Sequence, residues 1–152
     1  MKQFVILFLS GILLMSCKPK PATEQSTVPE IKGDYSAYEN EIMKIHDKAM
    51  SKMSELNQLE TQLRNIRIKA SQSDLGSSAI PEGIDATILS VKKAQSDMLD
   101  WMETYSATKP KIQEDLMLKF MDKELQKVTL VSDNIDNILT KAKEWLAAHP
   151  DL

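Results

Sequence analysis

Between Asp34 and Leu75 the chain carries no Gly or Pro, and apolar residues return through that stretch at alternating spacings of three and four. A strand buries every second residue, so this pattern belongs to a helix with one apolar stripe. Tyr35, Ile42, Ala49, Leu56, Leu63 and Ala70 hold one position of a heptad, and Tyr38, Ile45, Leu59 and Ile66 hold the other. Lys52 alone breaks the seam, and its long stem is expected to snorkel outwards. One helix over about 35–72 follows. Gly33-Asp34 offers it an N-cap, and Ser36 with Glu39 fits a capping box.

Two further stripes complete the body. Ser, Asp, two Gly and Pro81 cluster between Ser71 and Gly83, the longest break in the pattern. After it Ile84, Ile88, Val91, Met98, Met102 and Tyr105 mark a helix over about 84–107. Lys109-Pro110-Lys111 ends that helix and begins the next, because Pro suits a first turn. Met117, Met121, Val128, Val131, Ile135, Ile138, Ala142 and Trp145 mark a third helix over about 110–148, widened by Leu116, Phe120, Leu130, Leu139 and Leu146. Glu60–Arg64 and Asp115–Lys119 are spaced to pair along the outer faces. Short connections make neighbours antiparallel, so residues 34–149 read as an all-α, up-down-up antiparallel three-helix bundle. Its long first and third helices are expected to cross at shallow, coiled-coil-like angles and to pair beyond the shorter second one. With 152 residues there is room for one such domain, and four Gly with 5% aromatic residues suit neither a sandwich nor a barrel.

The N-terminus is an address rather than part of the fold. Lys2 precedes an apolar run, Phe4 to Leu9 and Ile12 to Met15, too short for a transmembrane span. It closes on Leu14-Met15-Ser16-Cys17, which resembles the lipobox of bacterial lipoproteins. The resemblance implies a signal peptide over 1–16, cleavage before Cys17, and acylation of that residue, the only cysteine in the chain. Each buried acyl CH₂ contributes about 0.8 kcal/mol, so several chains anchor a protein durably to a membrane. Residue 18 is Lys rather than the Asp of inner-membrane retention, which implies the outer membrane of a bacterial cell envelope, with the exposed face left open. Residues 17–33 then form a tether, Pro-rich and poor in apolar side chains.

One cluster stands out. Seven methionines follow the signal segment, and Met43, Met50 and Met53 share a helical face with His46. The turn near 108–110 sets Met102 opposite Met117 and Met98 opposite Met121, with Trp101 beside Met102. Ordinary core filling accounts for such residues, with Trp101 holding its N–H at the rim. A flexible apolar-ligand cleft is a further reading. The sharper alternative is a Cu(I) site built from His46, Met50, Met53, Met98 and Met102, with Met43, Trp101, Met117 and Met121 around it.

Catalysis finds no support. His46 and Asp47 are neighbours diverging by about 100° on a helix and are not expected to pair. His149 stands alone at the terminus. There is no phosphate loop, nucleophile elbow or H-E-x-x-H. Asp133 and Asp136 are expected on outer faces as solvated charge. A net charge of −3 disfavours nucleic acid as a partner.

The stretch from Ile45 to Leu56, with His46-Asp47 followed by Met50 and Met53, together with Met98-Leu99-Asp100-Trp101-Met102, resembles a family of small lipoproteins from Bacteroidota-type bacteria. These are often labelled viral A-type inclusion protein-like. The resemblance covers most of residues 35–148 and implies no activity. The expected role is therefore a non-enzymatic one, in structure or interaction, with another envelope protein or a second copy as partner.

Overall fold

The computed structural model describes residues 35–73 and 79–151. The expected signal peptide, Cys17, the tether and the Gly33-Asp34 cap lie outside them, as do residues 74–78 of the long break. All regular structure among the described residues is helical: α1 spans Ser36–Met50, α2 Met53–Ser71, α3 Ile84–Thr108 and α4 Glu114–Ala147. A 3₁₀ turn at Lys109–Lys111 separates α3 from α4. Pro110 therefore opens this turn and not the last long helix, which begins four residues later at Glu114. The start of α1 differs too. Tyr35 is its N-cap residue, and the Glu39 carboxylate pairs with Lys109 across the bundle.

The long first helix is in fact two. At the junction the Ser51 hydroxyl donates to the Lys48 carbonyl (2.7 Å), the acceptor that Lys52 N–H would use in an unbroken helix. Lys52 N–H turns instead to the Ala49 carbonyl (3.0 Å), and the regular ladder resumes with Leu56 N–H on the Lys52 carbonyl. A serine side chain competing for a backbone acceptor interrupts helices in this way. The packing changes partner at the same point. The α1 backbone lies mainly against α4, whereas α2 lies mainly against α3. Lys52 does not point to solvent: it reaches across to Asp136 on α4, with Lys48 3.9 Å from the same carboxyl group. Asp136 is thus a bridging group and not a solvated outer charge.

Contacts order the helices. Along α3 and α4, Gly83 meets Trp145, Trp101 meets Glu124 and Tyr105 meets Phe120. Glu39 with Lys109 and Arg67 with Asp85 run in the same opposed sense between the first two helices and the α3 segment. Lys52 with Asp136 and Glu55 with Lys143 rise together along α2 and α4.

The core follows the heptads closely on the first two helices. Ile42, Ala49, Leu56 and Leu63 are fully buried, with Leu59 and Ile66 beside them. On α3 the buried line runs Ile84, Ile88, Val91, Ala94, Met98, Trp101 and Tyr105, so Trp101 takes the slot expected of Met102. On α4 it runs Met121, Glu124, Val128, Ser132, Ile135, Leu139 and Ala142. Leu116 and Leu130, expected to widen that stripe, face solvent, and Leu130 is 71% exposed. On the outer face the Glu60–Arg64 pair forms as spaced (2.8 Å).

A clamp holds the other end. Gly83 caps α3 with φ +77°, a left-handed backbone that side chains disfavour, and a Cβ there would lie 3.4 Å from Trp145 Nε1. Trp145 donates that N–H to the Glu82 carbonyl (3.1 Å). His149 is not isolated: its ring stacks on Trp145 at 4.1 Å, and its Nδ1 lies 2.7 Å from the Trp145 carbonyl.

Candidate functional site

An aromatic ladder runs through the upper bundle. The His46 ring sits 5.9 Å from Trp101, Trp101 stacks on Tyr105 at 5.2 Å, and Tyr105 stacks on Phe120 at 6.0 Å. Trp101 and Tyr105 are one turn apart on α3, which places both rings on the face turned to α1 and α4. The Trp101 N–H is not at a rim. It donates to Glu124 Oε2 (3.0 Å), and Glu124 is only 3% exposed. Lys127 closes the other carboxylate oxygen at 2.7 Å. A buried indole N–H needs an acceptor, and a buried carboxylate needs donors and a counter-charge; these three residues meet both needs.

Further along, Tyr105 OH donates to Met121 Sδ (3.8 Å), and Lys109 lies over the Tyr105 ring at 5.9 Å. Burial pushes the Tyr105 pKa above its ordinary value, with Lys109 pulling against it. Burial works against the Lys109 ammonium, but its hydrogen bond to Glu39 and the nearby Tyr105, Glu39 and Tyr35 together outweigh this and its pKa is raised.

His46 is the unusual member. Its side chain is 12% exposed, and its Nδ1 lies 3.0 Å from Asp47 Oδ1. The adjacent pair thus does meet, because the exposed Asp47 carboxylate swings back along the helix towards the ring. A carboxylate only accepts, so in the neutral ring the contact favours the proton on Nδ1 and leaves Nε2 as a lone pair. That Nε2 is buried and has no hydrogen-bond partner among the described residues.

Comparison with protein-family models, curated proteins and solved structures finds no match. The site must therefore be judged from its own residues.

The methionines divide into three groups. Met98 and Met121 are fully buried, while Met50, Met53 and Met117 are half-buried against the core. Met43 and Met102 are 40% and 36% exposed, so the expected Met-lined segment spreads from core to surface. Among the described residues, no group of three His, Cys, Asp or Glu is placed to hold a metal ion.

The sequence reading missed Glu124. Its signal was available, since position 124 lies three residues after Met121 and four before Val128, within the apolar spacing of the stripe. A charged residue in a seam slot, on a helix facing one that carries a Trp, marks an indole N–H in search of an acceptor.

Proposed function

We propose that this chain is a lipid-anchored lipoprotein of the bacterial cell envelope, with a non-enzymatic role in structure or interaction. The Leu14-Met15-Ser16-Cys17 sequence carries this reading, supported by the Pro-bearing stretch after it and the helical body beyond. In this reading the acyl chains on Cys17 hold the protein at the outer membrane and residues 17–33 space the body from it. No helix among the described residues is long and apolar enough to cross a membrane. The opposed and parallel contact pairs support the finer description of the body as an up-down-up three-helix bundle, its first helix jointed at Ser51–Lys52. The resemblance to small Bacteroidota-type lipoproteins points the same way.

An interaction role draws on the exposed apolar residues of the last two helices, including Leu89, Leu99, Leu116 and Leu130. Scattered exposed leucines are ordinary, but Leu130 and Val131 line a groove whose floor is Trp101 and Glu124. A second copy or another envelope protein is the occupant this reading expects.

Metabolic labelling with an alkyne-bearing palmitate in the native bacterium tests the anchor. The wild-type chain should take up label and sediment with membranes. Cys17→Ser should abolish labelling and release the chain to the soluble fraction. Equal labelling of both, or none of either, would defeat the proposal.

A further inference from the structure

We infer that His46 Nε2, with the thioethers of Met98 and Met50 and the face of Trp101, forms a site for a soft monovalent cation, Cu(I) or its analogue Ag(I).

The argument starts from the orphan nitrogen. Burying an acceptor without a donor costs stability, so native proteins seldom leave one. His46 Nε2 is such an atom, and in the neutral ring the contact of Asp47 with Nδ1 favours the tautomer that leaves its lone pair free. A carboxylate on one imidazole nitrogen is the usual arrangement behind a histidine that ligates through the other. The surroundings then select the ion. Trp101 lies 5.9 Å from the imidazole, and an indole face attracts a cation. Met98 is one turn from Trp101 on α3 and fully buried; Met50 is one turn from His46 on α1 and half-buried. Thioethers with one imidazole suit a soft ion. Hard cations and Zn(II) want more His, Cys or carboxylate ligands than the described residues gather anywhere. Met121 is excluded because its sulfur already accepts from Tyr105, and Met43 and Met102 are too exposed to serve a buried ligand.

The test uses the full chain in detergent, carrying Cys17→Ser so that its only thiol does not compete for metal. Titration with Cu(I) against a competing chelator should show one ion bound per chain. Ag(I) should quench indole fluorescence, and Trp101→Phe, which keeps Trp145, should lose that quench. His46→Gln and Met98→Leu should each weaken binding by at least tenfold. Asp47→Ala, at an exposed position, should weaken it by about tenfold through the tautomer alone. Because His46→Gln risks disturbing the fold, the ¹⁵N shift of His46 Nε2 is followed in the parent chain, where saturating Ag(I) should displace it. An unmoved Nε2 signal at saturation, or equal affinities for the parent, Met98→Leu and Asp47→Ala, would overturn the inference.

Discussion

Glu124 shows how one polar residue organises the neighbourhood of a large one. It accepts from Trp101, is bridged by Lys127, and is almost wholly out of water. Glu124→Ala leaves the indole N–H unsatisfied and removes a charged acceptor, so urea denaturation should show a loss of about 2–3 kcal/mol. Glu124→Gln keeps an acceptor for the indole and should lose about half as much. Equal losses would mean that the Trp101 hydrogen bond is unimportant. Tyr105 and Lys109 contribute to the response to alkaline pH. Both have folded pKa values raised above their ordinary 10.0 and 10.5. Their contributions are complete below those ordinary values and are lost as pH rises through the raised ones. Thermal unfolding followed from pH 8 to 12 should therefore show stability falling above about pH 10, with a shallower fall in Tyr105→Phe. The same slope in both chains would contradict this. At this scale the sequence was only partly readable. It marked His46 and Trp101 as neighbours of the methionines, but no spacing rule shows that a flexible Asp47 reaches back to the ring beside it.

Among the elements, the joint at Ser51–Lys52 and the cap at Gly83 are the two places where a local choice directs the packing. Heptad spacing found the buried face of α1 and α2 almost residue by residue, because that face is set by backbone period alone. It missed the joint, which depends on one hydroxyl taking one carbonyl and disturbs neither the period nor the composition. Lys52 occupies the seam position beside this joint and is neutralised by Asp136. Removing one partner of a buried ion pair is costly, but Asp136 is 43% exposed and keeps Lys48 3.9 Å away, so water and Lys48 take up its charge. Lys52→Leu, completing the heptad, should therefore leave the melting temperature unchanged or raised; a stability loss above about 1 kcal/mol would show that the ion pair is needed. Gly83 behaves in the opposite way. Gly83→Ala forces a side chain into a left-handed backbone beside Trp145 and should cost about 1–2 kcal/mol by the same denaturation assay. A neutral result would mean that the cap can rearrange. On α4, the apolar count overstated the stripe: Leu130 and Leu116 follow the helix round to its solvent side, while Glu124 and Ser132 take inward positions.

For the whole molecule, helical class was legible because three long apolar stripes with few Gly and Pro leave little alternative. The up-down-up order proposed above rests on short connections, which favour antiparallel neighbours. The ion site inferred around Trp101 depends on the chemistry of a few side chains, and period carries no information about it. The proposed anchor rests on a third kind of signal, the short linear Leu14-Met15-Ser16-Cys17 sequence. The most direct test of the account is the intact mass of the chain purified from its native membrane. The account predicts a protein that begins at Cys17 and is heavier than the bare polypeptide by a diacylglyceryl group and an N-acyl chain. A mass matching the unmodified chain, with residues 1–16 still attached or with Cys17 bare, would contradict it.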